Sequence, residues 1–453
     1  MTFLARLFRK KPPRLVAIGL DGTPYTFLRR MVQEGHMPNF ARITKEAGSA
    51  RMRSVYPTVS SVAWSCYMTG LNPARHGIFG FIDRKPGSYD TTIPTSRRMT
   101  AKTLWEWLSE AGRKVIVMNV PVTYPPRPVN GILIGGFLSA KLERAVYPDD
   151  KVPLIQSLGY RIDTDPWLAR ESKDLLFPDV ADCLARRQQT LLHLMDNEPW
   201  DFFQCHIMET DRLYHFGWEQ YATDDPAYAP RFYQIIHQVD DLLGEVLQRV
   251  EQTGAEFMVL SDHGFCSLKY EVYVNNWLAD KGWLTLPDPR PERVQLKDVG
   301  PRCQVYSLDP GRVFINLEGR EPAGTVPQAE YEDWRDEVAQ AAMAELRDPE
   351  TGEPMLEKVI KREEIYHGPA LGRAADLILV PRYGYDLKGA FGKETLTFKG
   401  DALVGMHTYD DAMIAVRNRP IAVQGFSILD ATATVFRLMN VEIPAELDSR
   451  PLL

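Results

Sequence analysis

The chain has 453 residues, 44% apolar and 25% charged, a balance ordinary for a globular protein with a substantial core, and by length alone it holds roughly two or three domains. Its net charge of −7 excludes a global basic field, so no nucleic-acid partner is expected and an anionic substrate must be drawn by local cations or metal ions. Five scattered cysteines (Cys66, Cys183, Cys205, Cys266, Cys303) without Cys-x-x-Cys spacing exclude a disulfide frame or thiolate metal site and point to a reducing, cytoplasmic compartment.

Residues 1–13 read as a flexible tail. Apolar Phe3, Leu4, Leu7 and Phe8 precede basic Arg9, Lys10 and Lys11, the reverse of a secretory signal; a short peripheral membrane contact over 1–11 is the alternative. No run of about 18 apolar residues occurs, so no transmembrane helix is expected. Residues 14–20 form a near-continuous apolar run, as a buried parallel strand would, and Asp21-Gly22 stands at its carboxyl end. Ligands bind at that edge in open α/β sheets, although a lone Asp there also serves as a turn residue. A strand over 51–55 should end before Pro57, which biases Tyr56 to extended backbone. Ser60 or Ser61 then starts a short helix stopped by Gly70. A serine there can simply cap the helix, or present its hydroxyl beside free N–H groups that welcome an anion.

A helix over 103–111, a strand over 114–120 and a Pro-rich turn over 121–126 continue the alternation that predicts a mainly parallel sheet with helices on both faces. Residues 137–178 lack a steady period and read as a cap excursion, and 179–195 as a helix. After a strand within 200–208 come Asp211 and His215, four apart, so one helical turn puts both on one face; a metal-ligand pair and a surface ion pair are both open. The segment 231–250 is the clearest amphipathic helix, with Ile235, Val239, Leu242, Leu243, Val246 and Val250 as its core stripe. The buried strand 256–260 delivers Ser261-Asp262-His263-Gly264. Residues 266–370 read as an inserted subdomain, irregular over 270–320, with a mobile loop at 287–302 and a helix at 329–347. A strand over 375–380, the loop 405–411 bearing His407, a strand over 412–416 and a closing helix over 428–439 complete the chain.

Asp21, Asp211 with His215, and Asp262-His263 therefore stand at strand ends, with His407 on a further loop. Oxygen and imidazole donors without cysteine suit zinc, manganese or iron(II). Two divalent ions roughly 4 Å apart can clamp the attacking and leaving oxygens of a phosphoryl displacement.

These pieces resemble the alkaline phosphatase superfamily, and within it the type I phosphodiesterase/nucleotide pyrophosphatase branch and its prokaryotic phosphohydrolase relatives. The matching segments are Gly19-Leu20-Asp21-Gly22, Pro38-Asn39-Phe40, Tyr56-Pro57-Thr58-Val59-Ser60 with Thr69-Gly70 and His76-Gly77-Ile78, Asp211-x-x-x-His215, Ser261-Asp262-His263-Gly264, Gly405-Met406-His407, and Ile443-Pro444 through Asp448-Ser449-Arg450. The resemblance implies that a phosphate diester, or a monoester, is cleaved through a phosphoseryl intermediate on Ser60. It implies one metal on Asp21, Asp262 and His263 and a second on Asp211, His215 and His407, most often zinc, with the Ser60 oxygen facing the first. The family's usual threonine nucleophile is replaced by Ser60. Its phosphate-binding asparagine is replaced by Phe81, leaving Arg84, Lys102 and Tyr409 as candidates for that role. A transferase or phosphomutase of the same superfamily, and a silent metal-binding regulatory protein, are the alternatives. The remaining histidines (His36, His76, His193, His206, His237, His367) are expected to be structural, with His206 pointing into the core and His76 closing a turn.

Overall fold

The computed structural model describes residues 12–165, 167–289 and 291–453; the expected tail, and its alternative as a membrane contact over 1–11, lie outside them or at their margin. Eight strands form the central sheet: β1 Leu15–Leu20, β2 Ala50–Met52, β3 Val115–Met118, β4 Gly131–Ile134, β5 Val146–Tyr147, β6 Phe202–Ile207, β7 Glu256–Leu260 and β8 Ala412–Val416. Their order is β2-β8-β7-β1-β6-β3-β4-β5. The five strands from β7 to β4 run parallel; at the edges β8 pairs antiparallel with β7, β2 antiparallel with β8, and β5 antiparallel with β4. The parallel strands are fully or almost fully buried, which is why they read as largely apolar runs, Gln204 and His206 of β6 being exceptions.

Helices cover both faces, as the fold class expected from the sequence requires: α1 Tyr25–Gln33, α2 Pro38–Thr44, α3 Ser60–Thr69, α4 Leu104–Glu110, α5 Lys173–Asn197, α6 Glu209–Ala222, α7 Ala229–Thr253 and α8 Ile428–Leu438. Strand side chains alternate between two cores. Val16, Ile18 and Leu20 face α1, α2, α5, α6 and α7, whereas Leu15 and Ala17 face α3, α4 and α8. On α7, all six residues of the stripe read from the sequence are buried, worth on the order of 10 kcal/mol before chain entropy is subtracted. No helix among the described residues is long and apolar enough to cross a membrane.

A second sheet of four antiparallel strands lies after β7: Val305–Leu308, Arg312–Ile315, Leu377–Pro381 and Leu356–Lys361, packed on the helix Tyr331–Glu345 with a core of its own. Here the sequence reading needs correction. The stretch 270–320 was expected to be irregular, yet it holds the hairpin Val305–Leu308/Arg312–Ile315. Its turn, Asp309-Pro310-Gly311, carries the residue types a tight turn demands. The strand expected over 51–55 is shorter, Ala50–Met52, because Ser54 N–H already donates to Tyr409 O outside the sheet.

Candidate active site

Three neighbouring parallel strands bring their carboxyl ends together. Leaving β1, Asp21 is fully buried, and Gly22 adopts φ +66°, a left-handed turn whose N–H donates to Asp262 Oδ1 at 3.1 Å. From β6 the chain enters α6, whose first turns carry Asp211 and His215 on one side. From β7 come Asp262 and His263, both without exposed surface. His407 arrives from far along the chain because the strand Gly405–Thr408 pairs antiparallel with Gly264–Ser267, setting His407 opposite Phe265. Its ring stacks on His263 with centroids 3.7 Å apart.

Ser60 does not cap its helix. Val59 occupies the cap position with extended backbone and no side-chain hydrogen bond, and Ser60 is the first residue of α3. Its hydroxyl turns instead to Asp21 Oδ1 at 3.1 Å and His263 Nε2 at 3.3 Å. All ten residues of α3 are buried, so this oxygen is held on a rigid element at a helix start where N–H groups lack intrahelical partners.

The histidine tautomers follow from the backbone. His215 Nδ1 faces Gly405 O at 3.1 Å, His407 Nδ1 faces Thr58 O at 3.0 Å, and His263 Nδ1 faces Gly264 O at 3.0 Å. A carbonyl accepts only, so each Nδ1 carries the proton and each Nε2 turns a lone pair inward. The Nε2 atoms of His215 and His407 lie 3.0 Å apart and 3.4 and 3.2 Å from Asp211 Oδ1. His263 Nε2 lies 3.5 Å from Asp21 Oδ1 and 3.4 Å from Asp262 Oδ2. The buried oxygens Asp211 Oδ1 and Asp262 Oδ2 make no hydrogen bond. Converging acceptors of this kind repel one another unless cations sit among them, so the donor set fits divalent metals. Two groups, Asp211/His215/His407 and Asp21/Asp211/His263, have ligand atoms within 4.8 Å of one another. Asp262 adds its free oxygen beside His263.

Without cations the site is electrostatically strained. Burial, and then the Asp21 charge, pushes the Asp262 carboxyl well above the usual carboxylate range. Burial pulls the His215 imidazole down to about 4, and burial with the neighbouring His407 pulls His263 down to about 3. Burial also opposes charge on His407, but the adjacent Asp211 carboxylate and the Thr58 carbonyl outweigh it and leave that imidazole above its ordinary value.

All seven residues singled out in the sequence thus meet in one place. Their neighbours were not all anticipated. His206 is buried as expected, yet its Nε2 reaches Asp21 Oδ2 at 2.6 Å, and Trp64 Nε1 donates to the same oxygen at 3.0 Å. Together they leave Asp21 Oδ1 for Ser60. A polar pair, Gln204 and His206, two apart in an otherwise apolar strand, was the signal available. Arg212, adjacent to Asp211, was also passed over; a bidentate pair with Asp163 at 3.1 and 2.7 Å fixes its guanidinium, and Nη1 lies 3.4 Å from Asp211 Oδ2. Of the three side chains considered as replacements for the family's asparagine, Arg84 is tied to Glu321 at 2.6 Å and Lys102 to Glu110 at 2.7 Å, both elsewhere. Tyr409 stacks on Tyr56 at 4.1 Å in the wall of a neighbouring cavity.

An open α/β sheet with paired carboxylate–imidazole clusters beneath a helix-borne hydroxyl defines a hydrolase of phosphoester bonds with the alkaline phosphatase-like fold. Residues 15–410 match the Type I phosphodiesterase / nucleotide pyrophosphatase family, and the chain belongs to it. No curated protein matches the sequence. Among solved structures, the phosphonoacetate hydrolase of Sinorhizobium meliloti 1021, in complex with phosphonoformate or phosphonoacetate, is similar in fold, with TM-score 0.62 and 18% identity over 95% of this chain and 96% of that one. Murine ectonucleotide pyrophosphatase / phosphodiesterase 5, as an inactive variant in complex with AMP, gives TM-score 0.58 and 15% identity over the same shares.

Proposed function

We propose that this phosphoester hydrolase is a divalent-metal-dependent phosphodiesterase that works through a covalent intermediate on Ser60. The observation that carries this reading is the Ser60 hydroxyl, 3.1 Å from Asp21 Oδ1 at the start of a fully buried helix, above converging acceptors that need cations. Two ions, zinc foremost and manganese or iron(II) next by donor type, would be held by Asp21, Asp262 and His263 and by Asp211, His215 and His407, and when bound they lower the pKa of the serine hydroxyl, stabilise the leaving oxygen and activate water.

The chain's own groups do the rest. Ser60 Oγ attacks phosphorus as the first ester oxygen departs with a proton, leaving a phosphorylated serine; water then attacks the same phosphorus, releases the monoester and restores Ser60. The free N–H groups at the start of α3 and the fixed guanidinium of Arg212 add positive potential for the phosphate oxygens. His206 and Trp64 orient Asp21, and the carbonyls of Thr58, Gly264 and Gly405 hold the three imidazoles in their ligand tautomer. A diester is favoured over a monoester because Arg212 is itself paired with Asp163, leaving little unbalanced cationic charge for a second negative charge on the substrate. The natural partner is thus a small phosphate ester.

Turnover of bis(p-nitrophenyl) phosphate by zinc- or manganese-loaded protein, with mass-spectrometric trapping of the Ser60 adduct, tests the reading. Metal-independent turnover, or full turnover by Ser60→Ala, would sink it.

A further inference from the structure

A cavity of about 430 Å³ opens beside His215, His407 and Thr58, between the catalytic edge of the central sheet and the second sheet. That volume lies within the range of organic-ligand sites. Its surface is largely apolar, with Tyr56, Ile82, Pro310, Pro381, Met406 and Tyr409 prominent.

The carboxylates and lysines on its walls each have a partner. Lys388 pairs with Asp386 at 2.5 Å, and Lys358 lies over the Tyr56 ring at 5.3 Å with Glu357 at 4.0 Å. Asp309 accepts from Gly389 N–H, and Asp410 accepts from the Tyr383 hydroxyl. Four carboxylates against two lysines leave the wall two charges negative, and no lysine or arginine among the described lining residues is unopposed. A second phosphate seated among these wall residues, beyond the ions that His215 and His407 would hold against the first, would meet net repulsion with no side-chain cation free to receive it.

We infer that this cavity takes the uncharged organic arm of the substrate, an alkyl or aryl ester group, and disfavours any arm bearing further phosphate. The inference rests on the proposed hydrolysis at Ser60 and specifies its substrate class. An arm seated there stays within reach of the site because His215 and His407 line both.

The test is a series of p-nitrophenyl phosphodiesters whose second arm is methyl, butyl, hexyl or octyl, with one member ending in a second phosphate. From methyl to hexyl, kcat/KM should rise at least about tenfold, below the ceiling of roughly fourfold per buried methylene, and the phosphate-bearing member should be poorer than hexyl. Ile82, at 41% exposed, tolerates a polar substitution, and Ile82→Asp should cut hexyl turnover about tenfold more than methyl turnover. In parallel, calorimetry of alkylphosphonates binding to Ser60→Ala protein should give affinities that rise with chain length. A flat series, or preference for the phosphate-bearing ester, overturns the inference while leaving the hydrolytic reading intact. If no ester turns over, the hydrolytic reading falls and calorimetry alone decides: rising affinities uphold the cavity's preference and flat ones overturn it.

Discussion

Replacing Gly19 with alanine tests whether Trp64 holds Asp21 in position. A Cβ on Gly19 would lie 2.4 Å from Trp64 Cη2 and 3.1 Å from both Cζ2 and Cζ3. Reaching an ordinary contact of about 3.4 Å requires roughly 1 Å of movement. The indole is fully buried and packed edge-on against Tyr67 and His206, so it has no solvent to swing into. A shift of that size carries the Nε1–Asp21 Oδ2 hydrogen bond, now 3.0 Å, out of range. Overpacking costs about 1–3 kcal/mol and loss of a hydrogen bond to a charged group about 1.5–3 kcal/mol, so roughly 3 kcal/mol or more is expected. Urea midpoints of metal-free protein, followed by far-ultraviolet circular dichroism, read that loss. Zinc titration should show affinity weakened about 10–100-fold, because Asp21 has lost an orienting donor. Trp64→Phe removes the far ring atoms, so the double variant should exceed the additive sum by at least about 1 kcal/mol. A Gly19→Ala midpoint within about 0.5 kcal/mol of the parent, or strict additivity in the pair, would refute the reasoning.

Exhaustive chelation should abolish turnover and lower the urea midpoint; zinc at about a hundred times its dissociation constant should restore roughly 2.7 kcal/mol, and an unchanged midpoint would count against bound cations. Arg187 and Glu209 form a fully buried pair at 2.7 Å that ties α5 to the start of α6, so Arg187→Met should cost roughly 3–5 kcal/mol, with most of it recovered on adding Glu209→Leu. Recovery failing in the double variant would show that packing, not charge, sets the loss. His76, pulled down to about 3 chiefly by burial, is neutral in the fold. The unfolded chain takes up that proton near pH 6.5, so this stabilisation is complete above 6.5 and is lost as pH falls toward 3. The urea midpoint of His76→Asn should therefore fall less steeply than the parent's between pH 6.5 and 4, and parallel curves would disprove the assignment.

The ends of β1 and β7 were legible in the sequence because these buried parallel strands are largely apolar and run straight into polar residues, which marks Asp21 after Leu20 and Ser261-Asp262 after Leu260. Asp211 and His215 were legible because helical spacing alone sets them on one face. What sequence reasoning could not supply was pairing between distant segments. His407 reaches His263 only through the register of Gly405–Thr408 against Gly264–Ser267, which no local pattern encodes. The tautomer of each imidazole depends on a carbonyl contributed by the fold, as Thr58 O does for His407. From its own segment Ser60 reads more readily as a cap, and the extended backbone of Val59, which takes the cap position itself, frees that hydroxyl. The hairpin at Asp309-Pro310-Gly311 carried a turn signal that the charged, Pro-rich surroundings obscured.

The molecule divides its work between two sheets, and this separates chemistry from choice of substrate. Asp21, Asp211, Asp262 and His263 stand at the ends of β1, β6 and β7 or just beyond them, buried and held by the backbone, so their geometry follows from a fold that tolerates little displacement. The cavity walls come largely from the second sheet and its turns, with Pro310, Leu379 and Pro381 among them, and none of the carboxylates beneath Ser60 lines it. Exchanging wall residues can then alter which ester arm is accepted while the reacting groups keep their spacing. Among the described residues the two sets meet at Thr58, Val59, His215 and His407. Thr58 both lines the cavity and orients His407 through its carbonyl, so a displacement there would disturb substrate fit and metal geometry together.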